Sequence, residues 1–300
     1  MFKACYSPRY IAATHTNSME KLHSVAQAVV DQSLAELVEP DEIDPQVLRT
    51  LHDPSYVDAF LQGKMPLAGM SRFKWSEQLR DAVLLIQSGQ LKAAEIALDE
   101  GICANIAQGF HHAVYECGGG FCTFNGLALV AQQYPEKKVF VLDCDQHGGN
   151  GTAEFTTRLP NLFNFTIFGL RYGCRDFERS MGRYISRYDG TFAKYEQTLH
   201  EAFEQILIQK TELLIYQAGM DCHYADPYGS SWFDSEAIYR RDCMVFEFAK
   251  KQGIPIMFVL AGGYQALPEL VSLHVGTFRA ASQFYSGARK VKLDDLSLQV

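Results

Sequence analysis

The chain predicts a single α/β domain over residues 1–300, with a mostly parallel central β-sheet and helices on both faces. Two observations carry this. Short apolar runs rich in β-branched and aromatic residues alternate with longer amphipathic stretches along the whole 300-residue length. Several of those runs then end in glycine, aspartate or histidine, and the carboxyl edge of an open α/β sheet is where such a fold gathers its ligands. No Pro/Gly/Ser linker, internal repeat or low-complexity tract divides the chain, so one large domain is favoured over two ordinary ones.

In chain order, Lys3–Tyr6 reads as the first strand and His15–Leu37 as an amphipathic helix. The acidic, two-proline segment Val38–Val47 is short enough to be a loop. Ser76–Glu100 reads as a helix with Ser76 as its N-cap and Gly101 as its stop. Strands follow at Gly101–Ile106, Lys138–Leu142 and Leu162–Phe168, then a helix at Tyr195–Gln209 and a strand at Glu212–Gln217. Ser235–Lys250 is the last predicted helix. It stops before Gly253, and Pro255 restarts the chain as the strand Pro255–Leu260.

Apolar content of 47% and charged content of 21% are globular values. A net charge of −8 without a basic stripe argues against direct nucleic-acid binding and mildly favours a cationic partner. The eight cysteines form no CxxC and no regular framework, which suits free thiols in a reducing compartment. No apolar run approaches the ~20 residues that span a bilayer, and the N-terminus lacks a secretory apolar region. A soluble protein of the cytoplasm, or of the nucleus in a eukaryote, is the expectation, with no membrane partner.

Four segments look chemical. Val141–Gly151 (VLDCDQHGGNG) leaves an apolar strand through Asp143, Asp145 and His147, which alternation places on one side. Alone, it could be a solvated loop. Gly109–Asn125 (GFHHAVYECGGGFCTFN) holds His111 and His112; adjacent residues of an extended segment face opposite ways, so both line a site only if the backbone bends. The surrounding glycines permit that bend and leave room for a substrate. Tyr216–Gly229 runs from a strand into Asp221 and Asp226, which could be no more than a loop hydrogen bond and an Asp-Pro turn. Val259–Tyr264 (VLAGGY) ends in glycines and presents Tyr264, unremarkable if exposed. Together they offer carboxylates and a histidine for a divalent ion, two further histidines for proton transfer, and a tyrosine donor. That is a set for metal-assisted amide hydrolysis.

With these blocks in hand, the chain resembles the zinc-dependent histone deacetylase family, with the arginase–deacetylase fold. The resemblance runs from LHDPSYVDAF (Leu51–Phe60) through HHA, GFC and FN, LDCDQHGGNG and QAGMDCHYADPYG to AGGY. RFKWSEQL (Arg72–Leu79) and IYQAGMD (Ile215–Asp221) look most like the class IV branch and its bacterial relatives. It implies Asp145, His147 and Asp226 as ligands of one catalytic zinc. It further implies His111 and His112 as the pair that binds and activates water, Asp143 as the acid orienting His111, and Tyr264 as the transition-state donor. Phe121 falls on an aromatic wall of an acyl-lysine tunnel, with Gly120 and Gly262 beside the substrate. A potassium ion is implied near Asp143, Asp145 and His147, with Thr166 as the hydroxyl ligand.

Some positions depart from the family's commonest pattern. Asn150 stands where class I members pair an aspartate with the second histidine, so His112 should be less basic. Gly149 occupies the position where arginase-like enzymes carry a second acid, which favours one metal over two. Gly126 replaces the usual aspartate of the third block, an exchange expected to loosen that loop. The resemblance implies hydrolytic removal of acetyl or longer acyl groups from lysine side chains of a protein or peptide. A small-molecule deacetylase acting on acetylpolyamine-type amines would use the same machinery. A non-catalytic acyl-lysine binder is disfavoured, because every position assigned a chemical role holds a competent residue.

Overall fold

The computed structural model describes residues 1–229 and 231–285; positions 286–300 of the expected domain lie outside the described residues. Its strands are β1 (Phe2–Cys5), β2 (Ala35–Val38), β3 (Ile102–Asn105), β4 (Val139–Asp143), β5 (Leu162–Phe168), β6 (Ser180–Tyr184), β7 (Leu213–Ala218) and β8 (Ile256–Leu260). They form one sheet in the order β2-β1-β3-β8-β7-β4-β5-β6, with every neighbouring pair parallel. The helices are α1 (Asn17–Asp31), α2 (Gln46–Arg49), α3 (Pro54–Gln62), α4 (Glu77–Glu100), α5 (Gly126–Gln133), α6 (Asn150–Phe155), α7 (Phe192–Ile208), α8 (Ser235–Gln252) and α9 (Leu267–Tyr285). Two groups cover the sheet: α1, α9, α8 and α7 pack in succession, and α4, α5 and α6 do likewise.

The four central strands β3, β8, β7 and β4 are buried at every residue, so helices on both faces leave them no polar side. Helix ends follow local chemistry. Ser76 accepts from the Leu79 N–H at 3.1 Å to start α4, and Gly101 closes it at φ 89°. Asp234 accepts from the Ala237 N–H at 2.8 Å to start α8, and Gly253 at φ 65° ends it.

Three differences from the sequence expectation are informative. The helix expected over His15–Leu37 stops at Asp31; Ser33 turns at φ 53° and Ala35–Val38 becomes β2, paired with β1. Ala35–Val38 carries on the apolar pattern of α1, so the exposed edge of β1 rather than local propensity decides its conformation. Edge strand β6 (SMGRY) was missed because glycine, serine and arginine carry little strand signal. Helix α9 was missed although Leu270, Leu273, His274, Thr277 and Phe278 repeat at helical spacing and are buried.

The loops that leave β3, β8, β7 and β4 open at the same sheet edge. This is the arrangement that collects side chains from four distant stretches of sequence into one place.

Candidate active site

Asp143 is the last residue of β4, and side-chain turns shape the loop after it. The Asp145 N–H donates to Asp143 Oδ1 at 3.1 Å, and the His147 N–H donates to Asp145 Oδ1 at 2.9 Å. The bend required before the two histidines is present: Phe110 has φ 59°, and the His111 and His112 ring centroids lie 3.9 Å apart with the planes tilted by 40°. His111 Nδ1 bonds Asp143 Oδ2 at 2.7 Å, while its Nε2 lies 3.8 Å from Asp145 Oδ1. His112 Nδ1 donates to Asn150 Oδ1 at 2.7 Å. That donation leaves Nε2 of a neutral His112 with its lone pair free.

From β7, Asp221 places Oδ1 against the Gln146 N–H at 2.9 Å and Oδ2 against His147 Nδ1 at 2.8 Å. The turn after β8 caps two carboxylates with its backbone. The Gly262 N–H donates to Asp145 Oδ2 at 2.7 Å and the Tyr264 N–H to Asp226 Oδ2 at 2.8 Å. Asp226 Oδ1 also accepts from the Tyr228 and Gly229 N–H groups at 2.9 and 2.8 Å. The tight donor cluster among the described residues is Asp145, His147 and Asp221, whose donor atoms lie within 4.8 Å of one another. Asp226 stands beside that cluster rather than in it, held by three backbone N–H groups.

Burial and charge act against each other here. Burial alone would lower His147, but its hydrogen bonds to Asp145 and Asp221 win and raise it to about 10. Asp221 is pushed up to about 7, by burial first and by Asp145 next. Burial would raise Asp145 too, yet His111 and His147 hold it well below the carboxylate range. His112 is held well below an ordinary imidazole by burial and then by His111. His111 moves the other way, because Asp143 and Asp145 outweigh its burial. Burial, followed by the charge of Asp145, lifts the Tyr264 phenol well above its usual value and keeps it protonated as a donor.

A cavity lined by His111, Asp145, Gly262 and Tyr264 is also walled by aromatics. Phe121 (φ 64°) stacks on Phe73 at 5.4 Å and meets Tyr264 at 5.8 Å. An added Cβ at Gly120 (φ 50°) would lie 2.5 Å from His112 Cδ2 and 2.8 Å from the Tyr172 hydroxyl, so only glycine fits there. Tyr172 lies against His112 with ring centroids 4.1 Å apart. The sequence had not singled it out, since the exposed loop after β5 carries no motif.

Gly262 has the same constraint beside Asp145 and Asp221. Thr166 is paired in register with Asp143 and its hydroxyl accepts from the Gly149 N–H at 3.3 Å. The loop expected to be loosened by Gly126 is instead held. Asn125 caps α5 through the Ala128 N–H and bonds Ala113 and Thr152, while a Cβ at residue 126 would press on Gln90 at 2.7 Å.

Two buried cations beneath the site also escaped the sequence reading. Lys21, wholly buried, donates to the Ala261 carbonyl at 2.6 Å; burial lowers it to about 8, and Asp221, Asp145 and Asp226 oppose that fall. Arg241, equally buried, donates to the Gly219 and Cys144 carbonyls at 2.8 and 3.3 Å and pairs with Asp242 at 2.8 Å. It therefore ties the ends of β7 and β4 together. Their only sequence signal is a charge on the apolar face of a helix, alone at Lys21 and beside Asp242 at Arg241.

Residues 15–278 match the family model described as histone deacetylase domain. The chain is 28% identical to an uncharacterized protein of Picosynechococcus sp., over 95% of this chain and 99% of that one. It is 28% identical to histone deacetylase 2 of Arabidopsis thaliana, over 85% and 70% respectively. Acetylpolyamine amidohydrolase 2 of Pseudomonas aeruginosa is 31% identical over 51% of this chain and 48% of its own. A solved acetylpolyamine aminohydrolase from Burkholderia pseudomallei superposes with a TM-score of 0.80 at 17% identity, covering 95% of this chain and 99% of that structure. That likeness speaks for the arginase–deacetylase fold. With the histone deacetylase domain model matched over residues 15–278, the chain belongs to the histone deacetylase family.

Proposed function

We propose that the chain is one catalytic domain, a zinc-dependent amidohydrolase that removes acyl groups from lysine side chains. The observation that carries this is a cavity lined by His111, Asp145, Phe121 and a protonated Tyr264, beside the Asp145–His147 cluster and a neutral His112 that Tyr172 covers. The donor set fits zinc. With Nδ1 of His147 occupied by Asp221, its Nε2 is the atom left to bind a metal, the usual role of an outer carboxylate. We assign Asp145, His147 and Asp226 as the ligands and Asp221 as the residue that orients His147. Bound zinc would polarise the amide carbonyl and acidify the attacking water.

The side chains of this protein do the remaining work. His112 accepts the water proton at Nε2, with Asn150 fixing its tautomer. His111, hydrogen-bonded to Asp143, supports charge beside it and positions the water. Tyr264 donates to the oxygen where negative charge develops, and its backbone N–H keeps it beside Asp226. The proton then passes to the departing amine. An added side chain at Gly149 would collide with Asp143 Oδ2, which supports one metal rather than two. Potassium belongs to the same reading, at Thr166 and Asp143 with the carbonyls of Asp145 and His147; the β4–β5 register supports it.

The deciding test is a panel of acyl-lysine peptides of graded acyl length beside acetylpolyamines, with the zinc-loaded protein. Turnover of peptides is the expected result. Turnover of acetylpolyamines alone would overturn the lysine assignment in favour of a small-molecule deacetylase.

The pH profile tests His112 separately. Burial and His111 place its pKa well below about 6.5, and a base works only when neutral. kcat/KM should therefore rise through an acid limb lying below that value. Asn150→Asp adds a negative charge 2.7 Å from Nδ1, favours the protonated ring and moves the limb upward by roughly one pH unit or more. An unmoved limb in a folded, zinc-loaded variant would detach Asn150 from the base.

A further inference from the structure

We propose that the mouth of the cavity is a basic surface that selects acyl-lysine carried on an acidic peptide segment, with Arg72 as its main contact. The proposal rests on the lysine-deacylase reading above and names the peptide class for it.

Three contacts place Arg72. The residue before it, Ser71, accepts from the Phe121 N–H at 2.9 Å, and the residue after it, Phe73, stacks on the Phe121 ring at 5.4 Å. Arg72 itself is exposed and adopts φ 69°, a conformation that arginine rarely takes and that its anchored neighbours impose. Across the mouth stands Tyr172, 40% exposed, with its ring on His112. Gly120 precedes the Phe121 that holds Ser71, and a Cβ there would lie 2.8 Å from the Tyr172 hydroxyl, so Arg72 and Tyr172 flank the same short turn.

Two further exposed arginines, Arg171 and Arg175, lie on the Tyr172 loop. None of the three has a carboxylate within ion-pair distance among the described residues. Arg9, Arg49, Arg80 and Arg183 each have one. The Tyr172 loop also carries Asp176, which accepts from the Gly182 N–H, and Glu178, which faces Arg179, so with Arg179 included its three arginines outnumber its two acids by one. Arg171 donates to the Cys174 carbonyl at 3.2 Å and Arg175 lies over the Phe177 ring, so Arg72 is the cation nearest the Phe121 wall, on a chain whose general field is negative at −8. Exposed Met70, two residues before Arg72, and exposed Met65, whose sulfur approaches Gly69, offer an apolar ledge for a peptide backbone. A polyamine, cationic along its length, would meet like charge at this rim, whereas an acidic segment would be drawn to it.

The test compares matched acyl-lysine peptides with acidic, neutral and basic flanks on the zinc-loaded protein, alongside an acyl-lysine derivative lacking flanks. We expect the acidic peptide to exceed the basic one by roughly threefold to tenfold in kcat/KM at low salt. The gap should shrink toward 1 M salt, where the screening length falls to about 3 Å. Arg72→Glu should invert the order and Arg72→Gly, which also relieves the backbone, should reduce it. Neither should change turnover of the derivative. Fluorescence polarisation of the same peptides reads the preference without catalysis. Equal handling of acidic and basic peptides, or an order unmoved in both variants, overturns the proposal. Acidic preference in binding without hydrolysis would support the mouth and overturn the deacylase reading.

Discussion

Asp226→Ala should fold, lose stoichiometric zinc and lose turnover to background, and so should Asp145→Ala and His147→Ala. Each removes one of three proposed ligands, and the remaining donors cannot close a zinc shell. Asp221→Asn separates the two aspartates after β7. Its amide oxygen can still accept from His147 Nδ1, so zinc should stay bound but about 10–100-fold more weakly, the usual loss for an outer residue. Metal analysis after dialysis against a graded chelator measures both. Zinc retained by Asp226→Ala and lost by Asp221→Asn would exchange the two roles and make the compact cluster of Asp145, His147 and Asp221 the ligand set.

Tyr264→Phe should keep zinc, fold and substrate affinity while kcat falls roughly 10²–10³-fold, the loss associated with one oxyanion donor. Only a hydroxyl is removed, and the ring contacts with Phe121 and Tyr228, at 5.8 and 4.9 Å, remain. The effect should sit in kcat rather than KM, because the hydroxyl acts where charge develops and not on the resting amide. Steady-state kinetics on one acyl-lysine peptide decides it. A matching rise in KM, or an unchanged kcat, would remove the phenol from the transition state.

Much of the site was legible because its chemistry is written in short runs. Asp143, Asp145 and His147 lie on one strand exit, where alternation and two Asp turns bring them together. The HH pair was legible only in part: its use depended on a bend, and Phe110 at φ 59° is a conformation no composition rule assigns to phenylalanine. Tyr172, Lys21 and Arg241 were not legible. Each owes its place to contacts with residues far away in the chain, at His112, Ala261 and Gly219 respectively.

The same division holds for the fold. By itself the sequence determined the alternation of strand and helix, the capped ends at Ser76, Gly101 and Gly253, and the identities of the residues able to do chemistry. These follow from local periodicity and local hydrogen bonding, which act within a few residues. Only the tertiary structure decided that Ala35–Val38 leaves its helix for the edge of β1, and that four strand exits share one cavity. It also separated Asp221, bonded to His147, from Asp226, bonded to the turn of Tyr264. Two aspartates five residues apart look alike along the chain. What distinguishes them is the partner that another strand brings to each, and that is a property of packing.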